Sequence, residues 1–143
     1  MSSSWIVVIA VLIAAFGLAF VVGRVLTARA GRLTPAGDVS NSPAVDTSEL
    51  GLSGTGPTVV HFGAVWCGPC AGVRRVVDQV CAELPAVAHV EIDMDANPDA
   101  ARRLSVLSLP TTFIFDAEGR QQYRASGVPT AADLRSALRP LLA

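Results

Sequence analysis

The chain has 143 residues, 11 of them basic and 12 acidic, for a formal net charge of −1, and every basic residue is an arginine. Only 16% of residues are charged, so the chain lacks the basic face of a nucleic-acid binder, while a 51% apolar content excludes a disordered polypeptide. Three cysteines are too few and too odd in number for a disulfide framework, which leaves redox, catalytic or metal chemistry for any pair among them.

The apolar excess sits at the start of the chain. From Trp5 to Gly23 run nineteen residues without a charge, seventeen of them apolar, with Gly17 and Gly23 the exceptions. As a helix this stretch is roughly 29 Å long, about the thickness of a bilayer's hydrocarbon core. It is apolar on every side, unlike the one-faced helix of a small soluble domain. Residues 1–30 therefore read as a membrane anchor with a single transmembrane helix. A cleaved signal peptide is the competing reading, because Ala28-Arg29-Ala30 resembles a cleavage site. The uncharged first four residues and the length of the run favour a retained span. Arg24, Arg29 and Arg32 follow the span and none precedes it. The positive-inside rule then places the C-terminal part in the cytoplasm.

Residues 31–44 hold Gly31, Pro35, Gly37, Ser40, Asn41, Ser42 and Pro43 with little apolar periodicity, and read as a flexible linker. Residues 45–143 are long enough for one small core. Thr58 to Phe62 reads as a buried strand. After Cys70 a helical pattern buries Val73, Val76, Val77, Val80 and Leu84. Val87 to Asp93 is a second strand, and Asn97-Pro98 reads as an N-cap with proline opening a helix through Leu104. Thr111 to Phe115 and Gln121 to Ala125 form a hairpin across Glu118-Gly119. Thr130 and Asp133 make a capping box for a last helix whose apolar face is Leu134, Leu138 and Leu141. Strand, helix, strand, helix, hairpin and helix predict an α/β domain with a mixed sheet covered on both faces.

The chemistry concentrates in Trp66-Cys67-Gly68-Pro69-Cys70, between the first strand and its helix. A helix beginning near Cys67 would favour a thiolate there through its free N–H groups and dipole. Three-residue spacing brings Cys70 within disulfide reach of Cys67. An exposed first thiolate attacks a substrate disulfide and a more buried second thiol resolves the mixed disulfide. Half of a zinc site is the alternative, with Cys81, His61 and His89 as the only further ligands. Cys81 lies roughly 16 Å farther along the helix, out of reach of the pair, and reads as a small buried apolar residue. Asp93, Asp95 and Asp99 read as a solvated loop that caps the next helix rather than a cation site.

The pentapeptide, the strand before it and the later Leu109-Pro110-Thr111 step resemble the thioredoxin family from roughly Thr58 to Leu142. The resemblance implies a thioredoxin fold, a mixed central sheet flanked by helices, here preceded by one transmembrane helix. It implies Cys67 as nucleophile, Cys70 as resolving thiol and the two as a redox-active disulfide. Trp66 would be the flanking aromatic, Pro110 a cis-proline facing the disulfide, and Leu109 a backbone contact for an extended substrate segment. The match of the pentapeptide to reducing thioredoxins favours a disulfide reductase over an oxidant. No bound cofactor or metal is implied.

This chain departs from the family at two ionisable positions. His61 stands where a buried aspartate is common, and Glu91 where a lysine is. His61, paired with Glu91, is suited to take the proton from Cys70 during resolution, its ordinary pKa lying near 6.5; a histidine that merely packs is the alternative. The segment before Thr58 is too short to assure the family's first strand and helix. The expected partners are protein disulfides, an electron-donating reductase or membrane partner, and the membrane itself, with the chain acting as a monomer and binding no nucleic acid. An outward-facing reductase of envelope or apocytochrome thiols is the first rival, and a non-enzymatic membrane adaptor the second.

Overall fold

Side-chain alternation along one central strand sets the layering of the domain. In β2 (Thr58–Gly63) every residue is buried, with Val59, His61 and Gly63 on one face and Val60 and Phe62 on the other. The structure, a computed structural model, describes residues 2–36 and 47–143. These fall into two units, residues 1–30 and 31–143.

The first unit is α1 (Ser2–Arg29), a helix of 28 residues whose apolar side chains, Trp5, Phe16 and Phe20 among them, are exposed. It is long and apolar enough to cross a membrane.

The second unit holds β1 (Thr34–Pro35), β2, α2 (Cys70–Glu83), β3 (Ala88–Asp93), α3 (Pro98–Arg103), β4 (Thr111–Phe115), β5 (Gln121–Ser126) and α4 (Ala131–Leu138). The strands form one mixed sheet in the order β1-β5-β4-β2-β3, with β2 and β3 parallel and the other pairs antiparallel. On one face Val59 and Ile114 pack against Val73, Val77 and Val80 of α2 and Leu134, Ala137 and Leu138 of α4. On the other, Val60, Phe62, Phe113 and Phe115 pack against Ala100, Ala101 and Leu104. The helices supply the apolar faces that their sequence periodicity predicts. Thr130 caps α4, accepting from the Asp133 N–H at 3.1 Å.

Three expectations change. The linker predicted over 31–44 begins as structure: Thr34 and Pro35 pair with Arg124 and Tyr123 of β5, while residues 37–44 lie outside the described residues. Pro35 has no N–H to donate, which suits it to a sheet edge. Asn97 does not cap α3 with its side chain; its Nδ2 donates instead to the Asp93 carbonyl at 3.0 Å. Asp93 is already committed to that turn, accepting from the N–H groups of Asp95 and Ala96. Finally, α2 starts at Cys70 and not near Cys67. Gly68 precedes a proline, and a residue in that position is pushed out of the helical region, so the helix cannot run back through it. Between Ala36 and β2 the described residues hold a short 3-10 turn, Ser48–Leu50, which buries Leu50.

Candidate active site

Cys67 and Cys70 form a disulfide, with Sγ–Sγ 2.07 Å and Cα–Cα 5.5 Å. The two sulfurs differ in access. Cys67 is half-buried in the loop after β2, while Cys70 is 3% exposed at the first residue of α2. The Cys67 N–H donates to the Ala64 carbonyl at 3.0 Å and the Cys70 N–H to the Cys67 carbonyl at 3.3 Å, closing successive tight turns. The Cys67 amide is therefore not one of the free donors of the helix, although the positive end of α2 lies within one turn of both sulfurs.

A partly apolar rim surrounds the pair. Trp66 is 64% exposed, and its indole N–H donates to Asp95 at 2.8 Å, which fixes the ring beside Cys67. The Leu109–Pro110 peptide is cis, with Pro110 buried and Leu109 half-buried. Phe62 pairs with Thr111, so the next step of that register puts Pro110 beside Gly63. The Pro110 carbonyl accepts from the Gly127 N–H at 2.8 Å, bringing the Val128 loop to the same end of the sheet. Val65, Leu107 and Val128 leave apolar surface exposed around this end.

Gly63 opens the floor of the site. A Cβ there would lie 3.3 Å from Cys70 Sγ and 3.7 Å from Glu91 Oε1, so the missing side chain leaves the buried sulfur and the carboxylate on either side of one small space. His61, two residues earlier on the same face, is fully buried. Its Nδ1 lies 2.9 Å from His89 Nε2, and its Nε2 lies 3.5 Å from Glu91 Oε1 without a hydrogen-bond partner. Thr112 is directly opposite His61 on β4, and its buried hydroxyl is also unpartnered. Glu91 is gripped by Arg74 of α2 through two hydrogen bonds.

Burial pushes the His61 pKa below 6.5; Glu91 opposes the shift, and the His89 and Arg74 charges add to it. The hydrogen bond from Arg74, foremost, holds Glu91 below the usual carboxylate range. His61 is thus held toward its neutral form beside an anionic carboxylate, two residues along the same face from Gly63, against which Cys70 Sγ lies. Burial raises the Cys81 thiol, which packs half-buried on the far part of α2.

Of the residues that sequence reasoning singled out, Trp66, Cys67 and Cys70 lie between β2 and the start of α2, Leu109 and Pro110 just before β4, and His61 within β2 two residues before Gly63. Sequence reasoning gave His89 only as a possible zinc ligand and assigned no role to Arg74 or Asp78. The missing signal was the parallel β2–β3 register, which sets His61 against Glu91 and Val59 against His89 on one face. Asp93, Asp95 and Asp99 are separately engaged, by the turn, by Trp66 and by Arg102.

A family model described as thioredoxin matches residues 49–140. A thioredoxin from Mycolicibacterium smegmatis is 42% identical over 67 residues, covering 45% of this chain and 60% of that protein. A thioredoxin from Chlamydia trachomatis serovar D is 36% identical over 74 residues, covering 52% of this chain and 72% of that protein. The structure of thioredoxin O2 from Arabidopsis thaliana in its oxidised state superposes with a TM-score of 0.53 at 30% identity, over 63% of this chain and 78% of that one.

Proposed function

The chain belongs to the thioredoxin family of thiol–disulfide oxidoreductases, and on that premise we propose that it is a membrane-tethered reductase of protein disulfides. One observation carries the reading: a closed Cys67–Cys70 pair of unequal burial, its inner sulfur set over Gly63 and near a buried histidine.

In the reduced chain the Cys67 thiolate attacks a substrate disulfide, forming a mixed disulfide and releasing one substrate sulfur as a thiolate. Cys70 gives its proton to His61 Nε2, and its thiolate attacks Cys67 Sγ. The Cys67–substrate bond breaks, the electron pair leaves on the second substrate sulfur, and the Cys67–Cys70 disulfide closes. The substrate gains the two electrons that the chain loses and leaves as two thiolates, which take their protons from water, while the one proton shed by Cys70 rests on His61. Trp66 and the Leu109–Pro110 backbone border the place where an extended substrate segment would lie. Leu109 offers backbone groups to that segment, and Pro110, beside Gly63, shapes the wall facing the sulfurs.

The electrons that restore the dithiol come from a protein reductase or a membrane partner. The anchor in α1 raises the effective concentration of the thiols near membrane-bound substrates without adding a contact. Three arginines after the span favour a cytoplasmic domain.

The reading is tested with the full-length chain in detergent, reducing insulin with dithiothreitol as electron source. The wild type should accelerate the reduction, Cys67→Ser should abolish the acceleration, and Cys70→Ser should accumulate a thiol-sensitive mixed disulfide through Cys67. A Cys70→Ser chain that never forms that adduct would favour the adaptor.

A further inference from the structure

His61 is one end of a chain of polar groups that leads to the surface. From β3, His89 places Nε2 2.9 Å from His61 Nδ1, with the two rings stacked 5.1 Å apart. The other nitrogen of His89, Nδ1, lies 3.2 Å from Oδ1 of Asp78, an exposed residue of α2.

Proton counting fixes the direction of these contacts. An ionised carboxylate only accepts, so His89 Nδ1 must carry a hydrogen and donate it to Asp78. A neutral imidazole has one N–H, which leaves His89 Nε2 bare and accepting. His61 Nδ1 must then be the donor between the rings, and by the same count His61 Nε2 is bare. That atom is fully buried and has no partner, as an acceptor facing the Glu91 carboxylate must be. The opposite set of tautomers would let Nε2–H donate to Glu91. Each set leaves one bare nitrogen facing a carboxylate, and the first is favoured because His89 Nδ1–Asp78 is a 3.2 Å hydrogen bond whereas His61 Nε2 stands 3.5 Å from Glu91 without one.

We propose that His89, held by Asp78, is a positioning residue that keeps His61 in the tautomer able to receive the Cys70 proton. The proposal rests on the reading of His61 as that proton acceptor. When the Cys70 S–H proton moves to His61 Nε2, the resulting imidazolium donates from Nδ1 to His89 and from Nε2 toward Glu91. The Cys70 sulfur then bonds to Cys67 Sγ, the substrate sulfur departs with the electron pair, and the imidazolium later loses its extra proton to water. Neither His89 nor Asp78 touches a reacting atom. Their part is the one an orienting acid plays behind a catalytic histidine.

The groups facing His61 are few. Around it stand Arg74 of α2, His89 and Glu91 of β3 and Thr112 of β4, with Asp78 of α2 behind His89, Cys70 against Gly63, and Leu134, Ala137 and Leu138 of α4 on the same face. Burial and the His89 and Arg74 charges push the His61 pKa down against Glu91, which keeps the ring neutral and receptive at neutral pH.

The test uses the full-length Cys81→Ala chain in detergent, reduced and mixed with a chromogenic aryl disulfide. One thiolate is released on attack by Cys67 and a second on resolution by Cys70. His89→Phe keeps the stacked ring and removes its nitrogens. It should slow the second phase about tenfold near neutral pH and leave the first unchanged. Nitrogen NMR should show His61 moving from the Nδ1–H to the Nε2–H tautomer. His89→Gln, whose amide oxygen can accept from Nδ1–H, should recover most of the rate. Asp78→Ala, on an exposed helix position that leaves the sheet intact, should shift both readouts the same way by a smaller amount. An unchanged His61 tautomer, or an unchanged second phase, in His89→Phe and Asp78→Ala would overturn the proposal. If His61→Leu itself leaves the second phase and its pH profile unaltered, the parent reading fails and takes this one with it. If His61→Leu is slow while the His89 and Asp78 variants are normal, only the positioning role fails.

Discussion

A titratable ring at a fully buried strand position ties the stability of this fold to protons. The unfolded chain binds a proton on His61 near pH 6.5, whereas burial makes the folded chain accept it only at lower pH. The stabilising share of this group is therefore complete above 6.5 and is lost as pH falls through the folded value, at up to about 1.4 kcal/mol per pH unit. Glu91, whose pKa lies below 4.5 because Arg74 binds it, keeps its contribution above that value and leaves the window clear. The denaturation midpoint of the oxidised full-length chain should fall as the pH drops below about 6.5, and His61→Leu should flatten that slope even if its absolute stability is lower. Equal slopes in the two proteins would show that the ring is protonated as readily folded as unfolded. His61 was visible in the sequence because it sits in a strand six residues before a recognisable cysteine motif. His89 and Asp78 were not, because what joins them to it is strand register and the rotation of α2, neither of which a single stretch of sequence carries.

Among the elements, β1 is the one that local sequence misrepresents. Gly31, Pro35 and the glycine and serine that follow have a linker's composition, and two paired residues leave no alternation to detect. What makes Thr34–Pro35 a strand is the free edge of β5, a long-range partner, together with a glycine placed where only glycine fits. Gly31 has φ +83°, its N–H donates to the Ser126 carbonyl, and a Cβ would run into the Val128 carbonyl. The left-handed backbone alone should make Gly31→Ala cost about 1–2 kcal/mol, and the clash with the Val128 carbonyl adds to that. It should also remove hydrogen-exchange protection from the amide of Ala36, which donates to Gln122 at 2.9 Å. Central strands β2 and β4 should keep their protection; an unaffected Ala36 amide would mean that the edge strand does not depend on this turn. The longer elements were legible for the opposite reason. β2, α2, β4 and α4 each bury a face whose period survives in the sequence; β2 runs one residue past Phe62, and the start of α2 moved because Gly68 precedes Pro69.

At the scale of the whole molecule, the proposed function gives placement to the apolar helix, whose side chains are exposed, and chemistry to the second compact unit. Burying seventeen apolar residues in lipid stabilises the inserted state strongly, so the full-length chain should sediment with membranes and resist alkaline extraction. Cleavage after Ala30 would instead yield a shorter chain in the soluble fraction. The side of the membrane can be read from the cysteines themselves. Cys67 and Cys81 are both half-buried and Cys70 is buried, so in a reduced Cys81→Ala chain maleimide labelling reports Cys67. With Arg24, Arg29 and Arg32 retained on the inner side, an impermeant maleimide should leave Cys67 unlabelled in intact cells and modify it after permeabilisation. Labelling in intact cells would reverse the orientation and assign the reductase to envelope thiols. If Cys67 is shielded in intact cells, moving the three arginines ahead of Trp5 should expose it, and shielding that persists would show that the charge bias does not set the orientation.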